Sequence, residues 1–569
     1  MSAQANANAA AAIVAGLVES GLDHVVLSPG SRNTPLTLAF ADRTDLQVTS
    51  VLDERAAGFF ALGLARSSGK PVALCCTSGS AGTHYLPALV EAEASRVPLV
   101  VFTADRPVEL HGCGAPQTMD QRGLFGAFVR WSVDVPAPSE DLGVDHLVTL
   151  AAQAMGRSQQ TPAGPVHLNC AFRKPLWAQA AVATTVGRAV PVLERGVRTL
   201  SDESVTRLAA QIADARRGVI VCGPYAADSD SFPNRVRDLA ARLGWPLLME
   251  VGSGARFAAA APEAISTYDV FLRGDVSAAL DADCVLRFGQ WATSGPLGKW
   301  LDAQPNTLLV AADGERHDPS HRAAVWIEAS ATQVVDALYA RVDASECESE
   351  WLGRWQAIEA ATQSVIAEKD VHQDWEGALA RAVVSALPDG AALHLANSMP
   401  IREVNALCPP DGRRLHTYVS RGVNGIDGTL ATAAGEALGG GRPLTALVGD
   451  LAFLHDLGGL LTAASQPVTF VVVDNGGGGI FGFLPIVENT RHFEALFRTP
   501  QSVDLAALCA GAGVRYMALE GMSGLSSAVL REHERAGAGV IHVKIDPAIN
   551  MARHHALWDA AAKSLERML

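Results

Sequence analysis

Short apolar runs rich in β-branched residues recur along this chain. Each stops at glycine, serine, proline, asparagine or aspartate, and a stretch of helical length follows. The first group reads HVVLSP, LQVTSVLD, PVALCCTSG, PLVVFTAD and GPVHLNC. Continuous apolar runs of this kind suit strands buried on both faces, and the helical stretches between them supply the crossovers that a parallel sheet requires. The rhythm returns in GVIVCGP, PLLMEV, CVLRFG and TLLVAAD, and again in ALHLANS, RLHTYVSRG, LTALVGD, VTFVVVDNG and GVIHVKI. An Ala-, Val- and Thr-rich stretch around 178–200 and an acidic helical stretch at 341–372 separate the groups. The expected fold is α/β, with three consecutive doubly wound parallel-sheet domains over residues 1–180, 195–345 and 372–569.

Bulk properties narrow the function. The net charge of −15 argues against nonspecific binding to nucleic acid or to an anionic membrane, which both need basic surfaces. An anionic substrate would need a site of clustered Arg or Lys. The nine cysteines show no CxxC and no metal-type spacing, as expected of reduced thiols in a cytoplasmic protein. The opening MSAQANANAAAAIVAGLVESGL lacks a basic leader and carries Glu19 within its apolar pattern, so it reads as a helix rather than a signal peptide. No apolar run is long enough to span a bilayer, and no integral membrane contact is expected.

The most informative stretch is VGDLAFLHDLGGLLTAASQPVTFVVVDNGGGGIFGFLP. One strand ends at Gly449-Asp450 and a second at Asp474-Asn475, with four glycines behind it. If these strands are parallel neighbours, the Asp450 and Asn475 oxygens can meet one cation. Such oxygens suit Mg²⁺, which usually keeps water or phosphate as its other ligands. The glycines let backbone N–H groups approach a phosphate. The plainer alternative is an ordinary doubly wound sheet with polar strand ends. A second stretch, TSVLDERAAGFFALG, sends a strand into Asp53-Glu54-Arg55 and then into a helix. Glu54 there is either a first-turn acid favoured by the helix dipole or a carboxylate held in apolar surroundings to move a proton. Ser31-Arg32 follows Pro-Gly at a strand-to-helix turn, which makes an anion site or simply a surface arginine at a helix start. Arg106, Arg402 and Arg421 each follow a strand. Singly they read as salt-bridge partners, and together as carboxylate clamps.

Gly449-Asp450, with Asn475 twenty-five positions after the aspartate, resembles the diphosphate–Mg²⁺ motif of thiamine-diphosphate enzymes. Leu451 stands where the family usually has a second glycine, and this points to the MenD (SEPHCHC synthase) branch. Further motifs follow in order. Ser28-Pro29-Gly30-Ser31-Arg32-Asn33-Thr34-Pro35-Leu36 is similar to SPGSRxTPL, and DERAAGFFALGLA to the DER motif. TSGSAGTHYLPALVEA resembles a TSGTA-type loop, and TADRPVELHGCGAPQ an ADRPxEL…GAxQ segment. The stretches Asn397 to Arg402, Ser420 to Gly428, and Gly479-Ile480-Phe481 also match. The central unit matches weakly, around Gly298-Lys299.

This resemblance implies a cofactor and a set of roles. The cofactor is thiamine diphosphate with Mg²⁺, Mn²⁺ being possible. The domains become pyrimidine-binding (1–180), central (195–345) and diphosphate-binding (372–569). Glu54 would be the glutamate that hydrogen-bonds the aminopyrimidine ring, and Ile426 the apolar prop for the folded cofactor. Gly449, Asp450, Leu451, Asn475, Gly477, Ser80 and Ile480 would line the cofactor. Asp450, Asn475 and the Gly477 backbone carbonyl would hold the metal. The family decarboxylates 2-oxoglutarate and adds the succinyl unit to isochorismate. Arg402 and Arg421, with Ser398 nearby, would hold the 2-oxoglutarate-derived part. Ser31, Arg32, Arg106 and Lys299 would hold isochorismate, and Gln117 would orient the intermediate or acceptor. Phe481 and Leu484 would wall the substrate, with Arg32 and Gln117 counted beside Glu54 as catalytic. A homo-oligomer with active sites at its subunit interface follows from the resemblance, with dimer and tetramer both open. Rival readings are weaker. Other 2-oxoacid decarboxylases of the superfamily usually keep Gly-Asp-Gly, a silent subunit would have lost Glu54 or Asp450, and a dinucleotide dehydrogenase needs a GxGxxG after a first strand with an acidic residue about twenty positions further on, an arrangement not found here.

Overall fold

Each group of apolar runs forms a six-stranded, all-parallel sheet of its own. The computed structural model describes residues 3–139, 143–178, 190–258, 261–343, 350–369, 374–489 and 491–568. Parts of both expected connectors, 179–189, 344–349 and 370–372, lie outside the described residues. Within the second connector, Trp351–Lys369 is a helix, as its composition implied.

The first sheet holds β1 (His24–Leu27), β2 (Gln47–Ser50), β3 (Val72–Cys76), β4 (Leu99–Asp105), β5 (Trp131–Val135) and β6 (Val166–Ala171), in the order β2-β1-β3-β4-β6-β5. The second holds β7 (Gly218–Cys222), β8 (Leu247–Met249), β9 (Ala264–Ile265), β10 (Cys284–Phe288), β11 (Thr307–Val310) and β12 (Ala323–Ile327), in the order β12-β11-β10-β7-β8-β9. The third holds β13 (Ala392–Leu395), β14 (His416–Val419), β15 (Leu444–Gly449), β16 (Val468–Asp474), β17 (Arg515–Leu519) and β18 (Gly539–Lys544), in the order β14-β13-β15-β16-β18-β17. The first and third sheets thus share one topology, while the second has the doubly wound order of dinucleotide-binding folds.

In open parallel sheets, ligands bind beyond the carboxyl ends of the strands where the strand order reverses. That point falls between β1 and β3 in the first sheet, and between β13 and β15 in the third. In the second sheet it falls between β7 and β10, where the fold's own backbone closes the crevice. A Cβ on Gly223 would lie 2.2 Å from the Gln290 carbonyl oxygen, and the Gln290 N–H donates to Pro224 O at 2.8 Å. The loops that follow β7 and β10 therefore touch through their backbones at that point.

Four strands escape the sequence reading: β5, β9, β12 and β17. All lie at sheet edges. β5 and β12 alternate half-buried and exposed positions, so they never present a continuous apolar run. One expectation is corrected. The strand leading to Glu54 is not buried: β2 is an edge strand, with Val48 40% and the following Leu52 82% exposed.

The first and third units share one apolar core, in which the helix Glu54–Ser68 meets the helix Thr429–Gly440. Glycine makes this approach possible. A Cβ on Gly63 would lie 2.0 Å from Thr432 O, and one on Gly435 2.0 Å from Phe60 O. The central unit is tied to the third by polar contacts. Tyr225 Oη donates to Val419 O at 3.0 Å, and Arg256 Nη2 donates to Cys408 O at 2.9 Å. No helix among the described residues is long and apolar enough to cross a membrane.

Candidate active site

In the third unit, β15 and β16 are parallel neighbours, so Asp450 and Asn475 emerge side by side at their carboxyl ends. Asp450 is the first residue of the helix Asp450–His455, and it is buried. Burial, and then Asp474, push its pKa up to about 6, while N–H groups of Leu451 and Gly477 pull it back. Asn475 is buried as well. Its Nδ2 donates to Glu376 Oε1 at 2.7 Å, and its Oδ1 has no hydrogen-bond partner. A buried acceptor left unmade is costly, and its loss is recovered where a ligand or cation meets it. Gly477, at φ +123°, adopts a backbone only glycine takes readily, and a Cβ there would lie 2.0 Å from Arg498 O. A carboxylate, an unpartnered amide oxygen and a glycine backbone suit a hard divalent cation that draws its other ligands from water and phosphate. Among the described residues no group of three His, Cys, Asp or Glu could hold a metal by itself. A cation at Asp450 and Asn475 would therefore draw its remaining ligands from backbone oxygens, water or a bound ligand.

Beside this corner opens a cavity of about 540 Å³, lined among others by Lys299, Arg402, Ile480, Leu484, Asp269 and His554. It joins the central unit, through the helix Gly295–Ala303 that carries Lys299, to the third unit. Arg402 lies in the first turn of the helix Met399–Leu407 rather than at a strand end, and its Nη1 donates to Ser398 O at 2.6 Å. Ser398 itself is held at φ +74°, a strained conformation for a residue with a Cβ. Burial, and then Arg421, lower the pKa of Arg402, and Asp269, Glu250 and Glu403 oppose them. Arg421 donates from Nη1 to Asn397 Oδ1 at 3.1 Å, and its buried Nε has no partner. Two guanidiniums that repel each other, one with an idle donor, are arranged for an anion. Phe481 packs edge-on against Phe497 and is not among the residues lining the cavity. Ile426 precedes the helix Thr429–Gly440, on the loop that Asn397 holds by its carbonyls.

The first unit gathers a second basic group at the ends of β1, β3 and β4. Arg32 is buried. Its N–H donates to Thr77 Oγ1 at 3.1 Å and its Nη1 to Phe172 O at 2.6 Å. Burial, and then Arg106, lower its pKa, while Asp105 supports it. Arg106 donates to Ser78 Oγ and to Pro116 O. Gln117, at φ +54°, donates to Ser78 O at 3.1 Å. Ser31 and Ser80 are exposed at the mouth of this group. Glu54 opens the helix Glu54–Ser68, half-buried. The capping role belongs to Asp53, whose side chain accepts from Arg55 N. Among the described residues the Glu54 carboxylate has no hydrogen-bond partner.

Sequence reasoning missed two buried acids. Glu376 accepts from both Asn475 and Asn550, and burial and then Glu403 push its pKa upward. Glu91 is treated below. Glu376 is the one acid of its helix and has no local signal, whereas Glu91 lies within the TSGSAGTHYLPALVEA stretch, which gives no sign of what its carboxylate holds.

The fold and the phosphate-type corner of the third unit define a thiamine-diphosphate-dependent enzyme. Family models agree: the N-terminal thiamine pyrophosphate binding domain matches residues 7–124, the middle domain 184–395, and the C-terminal thiamine pyrophosphate binding domain 406–543. Among solved structures, benzoylformate decarboxylase from Polynucleobacter necessarius superposes with a TM-score of 0.74 at 18% identity, over 95% of this chain and 99% of that one. A putative thiamin diphosphate-dependent enzyme from Mycobacterium smegmatis gives 0.71 at 20% identity, over 93% of this chain and 98% of that one. These two establish the fold.

Relatives in sequence narrow the class. The 2-succinyl-5-enolpyruvyl-6-hydroxy-3-cyclohexene-1-carboxylate synthase of Myxococcus xanthus is 40% identical, over 99% of both chains. That of Geobacillus thermodenitrificans is 38% identical, over 98% of this chain and 97% of its own. The chain belongs to the family of these synthases, the SEPHCHC synthases.

Proposed function

We propose that this chain decarboxylates 2-oxoglutarate and joins the succinyl unit to isochorismate by 1,4-addition, giving SEPHCHC and CO₂ in menaquinone biosynthesis. Family membership supports the reaction. The observation that carries the site assignment is the buried, unpartnered Asn475 Oδ1 beside Asp450. When bound, thiamine diphosphate supplies a carbon nucleophile and an electron sink for 2-oxo acid chemistry.

The chain's own residues do the rest in this reading. Asp450, Asn475 and the Gly477 carbonyl would hold Mg²⁺ or Mn²⁺, and Gly449 and Leu451 would help bind the diphosphate. Residues 372–569 serve as the diphosphate-binding domain, 1–180 as the pyrimidine-binding domain, and 195–345 as a central domain that lends Lys299. Ile426 props the cofactor, with Ser80 and Ile480 at its sides. The Glu54 carboxyl would hydrogen-bond the aminopyrimidine ring of the bound cofactor. Arg402 and Arg421 bind the carboxylates of 2-oxoglutarate near Ser398. Ser31, Arg32, Arg106 and Lys299 bind those of isochorismate. Gln117 would orient the acceptor, and Leu484 would wall the substrate, with Phe481 behind it against Phe497.

The site is completed in a homo-oligomer, a dimer or tetramer, working in the cytoplasm. The exposure of β2 and Leu52 beside Glu54 supports this, because an edge strand and a leucine so open to water suit a surface covered by a second copy. The test uses 2-oxoglutarate labelled with ¹³C at C5 and isochorismate, with mass spectrometry of the product. The reading predicts a product that retains the label and carries a four-carbon addition to isochorismate. Succinic semialdehyde as the only labelled product would overturn it.

A further inference from the structure

The loop Ser420–Gly428 carries Arg421 and Ile426, and two units hold it. Its carbonyls are gathered from within the third unit: Asn397 Nδ2 donates to those of Ser420, Asn424 and Gly425 at 2.7, 2.9 and 2.9 Å. Its amides point the other way. The N–H groups of Gly422, Val423 and Asn424 donate to the Glu91 carboxylate at 3.0, 2.7 and 2.9 Å. Glu91 belongs to the first unit, in the helix Leu86–Ala94, and is fully buried.

A buried carboxylate needs compensation. Among the described residues, the cation paired with Glu91 is Arg66, 3.6 Å from Oε1, and this guanidinium is shared with the buried Glu436 at 3.2 Å. One guanidinium cannot serve two acids fully, so three consecutive amides supply the remainder as charge-assisted hydrogen bonds in a backbone nest. The fit is tight. A Cβ on Gly422 would lie 2.8 Å from Glu91 Oε2 and 3.0 Å from Ala94 Cβ.

We infer that Glu91 is a positioning residue: the first unit reaches across to fix the loop that aims Arg421 and Ile426. The kinetic part of this inference rests on the proposed role of Arg421 toward 2-oxoglutarate, and the exchange part does not. Glu91→Gln removes one acceptor oxygen and turns an amide NH₂ toward the loop. Gly422→Ala attacks the same contact from the other unit, should the first variant fail to fold.

Hydrogen exchange read by NMR or mass spectrometry should quicken by about tenfold or more at 422–424 in both variants, while β15 keeps wild-type protection. The Michaelis constant for 2-oxoglutarate should rise about tenfold, with that for isochorismate within about twofold of wild type. Unchanged exchange at 422–424 in both variants would overturn the inference. So would a rise at β15 of the same size, or Michaelis constants that climb together. Local exchange that responds in an enzyme without turnover on 2-oxoglutarate supports the loop contact and overturns the functional reading instead.

Discussion

Replacing Arg402 with alanine probes the substrate assignment where the structure is most explicit. The guanidinium stands in the first turn of its helix, lines the 540 Å³ cavity and shares its surroundings with Arg421. A charge-assisted contact to a substrate carboxylate in such a partly desolvated place is worth about 2 kcal/mol. Two effects modify this. Removing Arg402 relieves the repulsion on Arg421, which then binds the anion alone somewhat better. It also strips the Ser398 carbonyl of its 2.6 Å donor, at a cost of ~1 kcal/mol in folding that leaves binding untouched. The net expectation is a Michaelis constant for 2-oxoglutarate raised about 10–20-fold, below the ~30-fold that about 2 kcal/mol alone would give, with isochorismate within about twofold. Arg402→Lys keeps a charge but loses the planar fork and should recover part of the loss, to about 5–10-fold. Steady-state kinetics with each substrate varied in turn, on protein whose unfolding midpoint is checked, reads all of this. An unchanged constant for 2-oxoglutarate in a folded Arg402→Ala enzyme would refute the reasoning.

Three further expectations follow from the geometry. The Asp450 carboxyl, raised from 3.8 to about 6, stabilises the metal-free fold only in its protonated form. That contribution is complete below pH ~4 and is lost as pH rises through about 6. Metal-free Asp450→Asn should therefore exceed wild type in stability at pH 7.5 by ~1–3 kcal/mol, with the gap closing toward pH 4; denaturant titrations at both pH values that show no gap would contradict this. Gly435→Ala would set a Cβ 2.0 Å from the Phe60 carbonyl oxygen, and backbone cannot step aside cheaply. It should cost ~2–3 kcal/mol by chemical denaturation, and a wild-type midpoint would show that the helix contact is looser than described. Lys299→Ala should raise the Michaelis constant for isochorismate by about tenfold and spare that for 2-oxoglutarate, whereas no change in either would confine the central unit to a structural part.

Much of this was legible in the chain itself, for definite reasons. Interior parallel strands are apolar on both faces, so β3, β4, β7, β15 and β16 announce themselves as unbroken runs. Edge strands face water on one side and hide among loops, as β5 and β12 do. Asp450 and Asn475 could be read because each ends an apolar run beside glycine, and the β15–β16 pairing sets them side by side. The surroundings of Glu54 could not. LQVTSV looks like any buried strand, yet its place at the sheet edge depends on which partner β1 takes on each side. The buried acids were invisible for another reason: their partners lie far off in sequence. Asn475 is 99 positions from Glu376, and the loop that Glu91 holds is more than 330 positions from it. No local pattern marks an acid whose compensation comes from so far along the chain.

The central claim is that this chain couples two substrates through one site that depends on Glu54. The most direct measurement follows CO₂ release and isochorismate loss together, with thiamine diphosphate and Mg²⁺ present, in wild type and in Glu54→Gln. The account predicts matched, one-to-one rates in wild type only when both substrates are present, and a fall of about a hundredfold or more in the variant. CO₂ release that ignores isochorismate, or a Glu54→Gln enzyme that keeps its rate, would contradict it.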